Sequence, residues 1–138
     1  MILFKVPGIP RPWPKENNAI SSSGRRIVYH RDPTGELRQW RELVAIMARS
    51  AIDGAMFERG SPLVTSYEFY CPKPPNGKYP YMVTKPDLDN LGYAITNTLQ
   101  GIAYADDCQI VHRTETKIYA DGFEPHAIIK IEELEQKP

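Results

Sequence analysis

Lys85-Pro86-Asp87-Leu88-Asp89-Asn90-Leu91 sets two carboxylates two residues apart, directly after a proline. Pro86 disfavours helix at Lys85, so the chain is expected to enter this stretch extended. In extended backbone, residues i and i+2 point to one side, which would present Asp87 and Asp89 together. A structural reading competes with this one. Asp89 precedes Leu91, Ile95, Leu99 and Ile102 at helical spacing, and an Asp in such a place is a common N-cap. On that reading Asp89 caps a helix, Asp87 sits in its first turn, and neither does chemistry.

A second acidic pair follows in Ala105-Asp106-Asp107-Cys108-Gln109-Ile110. A helix from about Asn90 to Gln100 carries the chain roughly 16 Å from Asp89 at ~1.5 Å per residue. Gly101 is the natural residue to end it. An extended run from Gly101 to Asp107 would travel about 20 Å back at ~3.3 Å per residue. Asp107 is therefore expected beside Asp87 and Asp89. Three converging carboxylates repel one another unless a cation lies among them. Oxygen-only donors suit Mg²⁺, with Mn²⁺ as a substitute, rather than zinc.

K-P-D-L-D-N-L, a helix closing on L-Q-G, and then A-D-D-C-Q-I-V resemble the signature of the RusA family of Holliday junction resolvases, common in bacteria and their phages and prophages. The likeness extends loosely over nearly the whole chain, from a first strand and a Pro/Asn-rich loop to a closing hairpin. It implies an α+β, RusA-like single domain over residues 1–138, with a mixed or antiparallel sheet of about four to five strands and two main helices. It further implies a homodimeric, Mg²⁺-dependent endonuclease that nicks four-way DNA junctions in pairs. Asp87, Asp89 and Asp107 would be the metal-binding catalytic carboxylates, with Asp106 and Asn90 as supporting neighbours. One position departs from the family: Tyr93 stands where a Lys is usual, and Asn97 lies near the place of a further Asp. Lys85 is then the candidate to bring positive charge to the reacting phosphate, which is where much of phosphoryl-transfer catalysis lies. The alternative is a metal- and junction-binding protein of weak catalytic power. A nucleotide-sugar transferase is disfavoured, because 138 residues leave little room for a donor domain and no Gly-rich phosphate loop is present.

The composition fits one globular domain: 41% hydrophobic and 25% charged residues are ordinary values. Cys71 and Cys108 are far apart and form no C-x-x-C, so reduced thiols and a cytoplasmic setting are expected. No run is long enough to span a membrane. Net charge is zero, yet residues 1–50 carry nine Lys/Arg against four Asp/Glu, and the acidic excess lies in the remainder. A basic N-terminal part beside a cation-filled acidic site would accept a DNA backbone, with strong salt dependence.

The candidate DNA contacts lie in loops and on one strand. Ile2–Val6 reads as a strand, followed by a stiff proline-rich loop bearing Arg11, Trp13 and Lys15. Trp13 reads equally as a base-stacking residue or as an anchor on the core. A turn at Ser21–Gly24 leads into a strand from Arg25 to Tyr29, giving a basic hairpin with Arg25 and Arg26. Asp32-Pro33-Thr34 signals a helix start, and Leu37, Trp40, Val44, Met47 and Ala51 form its core stripe. Arg38, Arg41, Glu42 and Arg49 on the opposite side read as a solvated face. Leu63–Cys71 alternates as a strand with Tyr67 and Phe69 inward, then enters a long loop carrying Lys73, Lys78 and Tyr79. Cys108–Tyr119 is expected as a strand that sets Gln109, Arg113 and Lys117 on one face with Asp107. Lys117, about 33 Å from Asp107 at ~3.3 Å per residue, would be a DNA backbone contact remote from the chemistry. Ala127–Glu132 reads as the last strand. His112 and His126 are isolated and read as ordinary surface residues.

Overall fold

The computed structural model describes residues 1–14, 17–29 and 32–135. Six strands and two α-helices occur in it: β1 (Ile2–Pro7), β2 (Asn17–Ile20), β3 (Arg26–Tyr29), α1 (Glu36–Ala51), β4 (Leu63–Pro72), α2 (Leu88–Leu99), β5 (Ile110–Ala120) and β6 (His126–Glu133). The main sheet has the order β1-β6-β4-β5, and β2 with β3 forms a separate hairpin. β6 pairs antiparallel with β1 and β4, while β5 pairs parallel with β4. This is an α+β domain with a mixed four-stranded sheet, as the sequence led us to expect.

β4 is the central strand. Leu63, Thr65, Tyr67, Phe69 and Cys71 alternate inward and are all buried, the period-2 pattern of a strand with one covered face. Both helices lie on that face. α1 contributes Trp40, Val44 and Ala48, one helical stripe, and α2 contributes Leu91, Ile95 and Leu99. α1 starts where Asp32 accepts the backbone N–H groups of Leu37 and Arg38, at 3.2 and 3.0 Å. Those amides have no partner within a helix, so the carboxylate satisfies them.

Four local expectations need correction. α2 starts at Leu88, with Asp87 as N-cap and Asp89 in the first turn, so the two carboxylates do not share an extended segment. The segment after α2 does not run back extended. Ile102 and Ala103 both donate to Leu99 O, and Gly101 N–H donates to Tyr104 O, which folds the chain tightly at the helix end. Gly101 has φ +86, open to glycine at little cost. Next, Asp107–Gln109 is a 3₁₀ turn rather than strand, and β5 begins at Ile110. That turn directs Gln109 to the carbonyls of Glu58 and Ser61 rather than along a strand face with Arg113 and Lys117. Finally, Arg41 is not on a solvated face, since it bonds α2 directly.

The long connection after β4 is held along β5. Tyr119 N–H donates to Pro80 O at 2.9 Å, Met82 N–H donates to Lys117 O at 3.4 Å, and Tyr81 bridges Ile118 in antiparallel sense. The loop therefore runs back down β5 before α2 begins. Among the described residues, no helix is long and apolar enough to cross a membrane.

Ile95 is fully buried between α2 and the sheet, whereas Ile46 of α1 is 58% exposed. Ile95→Ala should cost about 2–5 kcal/mol through lost transfer energy and the cavity it leaves. Ile46→Ala should stay within about 0.5 kcal/mol, as surface changes do. Urea denaturation of both variants checks the contrast.

Candidate active site

The acidic motif enters through a cis Lys85–Pro86 peptide. Lys85 Nζ donates to Asp87 Oδ1 at 2.7 Å, pairing an exposed lysine with a half-exposed carboxylate. Asp89 is exposed, and its Oδ1 accepts the N–H of Asn90 at 3.0 Å. Asn90 O in turn accepts the N–H of Trp13 at 2.9 Å, which ties the proline-rich arm to the start of α2. The Trp13 ring meets Tyr93 edge-on at 5.2 Å and lies under the Arg41 guanidinium at 5.0 Å. Arg41 also donates to Thr98 Oγ1 and Asn97 Oδ1, both at 2.9 Å. Trp13 is thus an anchor of the arm on α2.

Asp107 is presented by a built turn. The Asp106 carboxylate accepts the N–H of Cys108 at 3.0 Å, and Gln109 Oε1 accepts the N–H of Asp106 at 3.2 Å, a reciprocal capping box. Gln109 is buried and its Nε2 donates to Glu58 O and Ser61 O, at 2.9 and 3.2 Å. Asp107 N–H donates to Gln100 Oε1 at 3.1 Å, next to the end of α2. Its carboxylate remains exposed. Hydrogen bonds from Cys108 hold the Asp106 carboxyl below the usual carboxylate range, consistent with a capping role. The same contact pushes the Cys108 thiol up, away from reactivity.

Asp87 and Asp89 therefore stand at the start of α2 and Asp107 near its end. The twelve residues of α2 rise roughly 18 Å at ~1.5 Å each. Asp107 nevertheless lines one cleft with Tyr93, which lies one helical turn on from Asp89. Among the described residues, no three His, Cys, Asp or Glu side chains are grouped closely enough to hold a metal ion. The donors fit Mg²⁺ in kind, being hard carboxylate oxygens; they are not gathered into one shell.

β5 faces this helix with alternating charges. Arg113, Glu115 and Lys117 lie opposite the buried Thr65, Tyr67 and Phe69 of β4. Lys117, expected to be remote, donates to Thr84 O and Pro86 O at 2.9 Å each, and so holds the acidic motif's leading segment onto β5. Glu115, overlooked in the sequence, lies against Gly92 of α2, where any Cβ would overlap its carboxylate. Its side chain is only 9% exposed, and Arg113 Nε lies 2.9 Å from Oε1. That oxygen has no aligned hydrogen-bond donor among the described residues. Burial pushes the Glu115 carboxyl up, Arg113 opposes this, and the Asp89 charge adds to it. Asp107, Tyr93, Thr96 and Arg113 line one open cleft of about 250 Å³ between α2 and β5.

Of the candidate DNA contacts, Arg25 and Arg26 are exposed at the hairpin, and Lys78 is exposed in the long loop. Arg11 pairs with Glu36 at 3.3 Å and Lys73 with Asp121 at 3.0 Å. Lys15 lies outside the described residues. Cys71 is buried and Cys108 exposed, and neither forms a disulfide.

The raised pKa of Glu115 has a signed consequence. A carboxyl raised above its unfolded value destabilises the fold once ionised, and the cost disappears below the unfolded pKa of about 4.3. Glu115→Gln should therefore raise the thermal midpoint at pH 7, with the advantage shrinking as pH falls toward 4. Differential scanning calorimetry between those values measures it; an unchanged advantage at pH 4 would contradict the assignment.

A family model described as Endodeoxyribonuclease RusA matches residues 10–132. No curated protein matches the chain. The match takes in the arm, both helices, both acidic pairs and most of the sheet, and the chain belongs to the RusA endodeoxyribonuclease family.

Proposed function

We propose that this protein is a structure-specific endonuclease that resolves four-way DNA junctions by paired, metal-dependent nicks. Family membership supports the class of reaction. The observation that carries the reading to residues is the presentation of three exposed or half-exposed carboxylates. Asp87 and Asp89 lie at one end of α2, and Asp107 lies on a purpose-built turn near the other. Among the described residues no ion pair is formed by Asp89 or Asp107, and the capping work at the turn is done by Asp106.

Asp87, Asp89 and Asp107 would hold Mg²⁺, with Mn²⁺ as a substitute. Bound, the ion supplies Lewis acidity toward a phosphodiester oxygen and toward water. The chain's own residues do the positioning. Lys85 neutralises part of the Asp87 charge at 2.7 Å and brings a cation to the DNA side of the motif. Lys117 fixes the segment entering Asp87 through two carbonyls. Gln100 and Gln109 hold the Asp107 turn. Asn90 and Tyr93 tie α2 to the arm through Trp13.

A homodimer suits the substrate, because a two-fold protein matches a two-fold junction with one site for each nicked strand. DNA-backbone contacts fall to Arg25, Arg26 and Lys78, with Arg11 and Lys73 at the margins. Work on DNA and two unpaired cysteines fit a cytoplasmic setting.

The deciding experiment is cleavage of a mobile synthetic four-way junction, with linear duplex as control, in Mg²⁺, in Mn²⁺ and with chelator. Paired symmetric nicks confined to the junction are expected. They should vanish with chelator and fall by at least about 10²-fold in Asp89→Asn, a loss typical of removing one charge-stabilising group. Tight junction binding without nicks in either metal would make this a junction-binding protein, with Tyr93 as the first position to change.

Arg25→Ala with Arg26→Ala should weaken binding to junction and duplex alike. The slope of log affinity against log salt should fall by about two, roughly one per lost phosphate contact. A salt titration by fluorescence anisotropy reads both quantities.

A further inference from the structure

Among the described residues, Arg113 is a cation of the α2/β5 cleft whose outer donors are left uncommitted. Lys85 is paired with Asp87, Lys117 is spent on two carbonyls, and Arg41 is bound to Asn97, Thr98 and the Trp13 ring. Arg113 lines the cleft with Asp107, and its side chain is 42% exposed. Its ion pair with Glu115 uses Nε. A guanidinium has five N–H donors in a rigid fork, so the outer nitrogens remain for a ligand. Among the described residues they form no hydrogen bond.

Glu115 is placed at a cost. A nearly buried carboxylate oxygen without an aligned donor is unfavourable. The seat exists because residue 92 is glycine inside a helix, itself less stable there than alanine. Two independent concessions at one point indicate that this carboxylate has a task there. Its contact with Arg113 defines that task.

We propose that Arg113 contacts the phosphodiester of the substrate in the cleft beside Asp107, and that Glu115, seated in the Gly92 notch, is the positioning residue that aims it. This rests on the endonuclease reading above. The physical need is direct: an anionic phosphate brought against Asp107 is repelled unless a cation offsets the charge. A planar fork binds two phosphate oxygens together, which a lysine ammonium does less well. Charge on the equatorial oxygens in the transition state is met by the same donors.

The test uses the full chain as wild type, Arg113→Ala, Arg113→Lys, Glu115→Gln, Gly92→Ala and the double variant Arg113→Ala/Glu115→Gln. Single-turnover junction cleavage in Mg²⁺ is measured beside junction binding in chelator and thermal midpoints. Arg113→Ala should lose about 10²–10³-fold in rate, the loss seen when one donor to the reacting oxygens is removed. Arg113→Lys should recover part of it. Glu115→Gln and Gly92→Ala should each lose about tenfold, as when an orienting partner is removed, while remaining folded. The double variant should be no slower than Arg113→Ala alone, because an aiming group has nothing left to aim.

Cleavage by Arg113→Ala within twofold of wild type overturns the contact. Losses that multiply in the double variant overturn the positioning role. If wild type leaves junctions uncut in both Mg²⁺ and Mn²⁺, the endonuclease reading fails by itself. Arg113 is then judged on binding, where equal affinity of wild type and Arg113→Ala for the junction overturns the contact.

Discussion

The parallel pairing of β4 with β5 is the constraint from which the site follows. Parallel neighbours cannot be joined by a hairpin, so the chain must cross from the end of β4 to the beginning of β5. α2 is that crossing. Its start must come after the loop from β4, and its end must come just before β5. The acidic residues occupy those two junctions, Asp87 and Asp89 at one and Asp107 at the other. The acidic motif is therefore written at the two places where the connection changes direction. Because the loop first descends along β5 through the Tyr81–Ile118 bridge, α2 is drawn down against the middle of that strand. Glu115 and Arg113 thereby come to face the helix, and Lys117 the loop that leads into it.

The rotation of α2 about its own axis is fixed by polar contacts as well as apolar ones. Tyr67 Oη and Thr96 Oγ1 are 2.9 Å apart in the core, and Tyr104 O–H donates to Thr96 O at 2.6 Å. Burial pushes both phenols up, so they stay neutral hydrogen-bonding groups. Leu91, Ile95 and Leu99 alone would tolerate some rotation, since apolar burial has no direction. A buried hydroxyl pair does not, because turning the helix would strand both groups at about 1–3 kcal/mol each. The face carrying Asp89, Gly92, Tyr93 and Thr96, at the i, i+3, i+4 and i+7 spacing, is thus held toward β5.

Legibility in the sequence followed the range of the interactions involved. β4, β6 and α1 could be read because alternation and helical stripes are local consequences of one buried face. The two acidic pairs stood out by type and spacing, and they led to the correct family. The path between them could not be read. A carboxylate at Asp106 captures the next amides and turns Asp107–Gln109 into 3₁₀ structure, where β propensity suggested strand. Gln109 looked like a strand residue but is buried by the carbonyls of Glu58 and Ser61, about fifty positions away. Arg41 looked solvated because its partners lie 56 and 57 residues on. Glu115 and Gly92 carry no local signal as a pair. The nearest clue was a glycine inside an otherwise good helical pattern, which often marks a close approach.

A net charge of zero would ordinarily count against a DNA-binding protein, and the structure shows why it does not decide the matter here. Many of the charges are consumed internally: Arg11 by Glu36, Lys73 by Asp121, Lys85 by Asp87, Lys130 by Glu132. Such exposed pairs add little stability, typically ~0–1 kcal/mol. Their effect is to cancel field at the places where they sit. What a polyanion meets is the local surface: exposed arginines on the β2–β3 hairpin, and carboxylates at the ends of α2 that a bound cation would neutralise. The field over about one Debye length, ~8–10 Å, governs a phosphate's approach rather than the sum over the chain. Carboxylates unshielded by a cation would turn DNA away from the cleft while the hairpin still attracted it. A cation held by the acidic residues would let a basic rim and an acidic centre serve the same substrate.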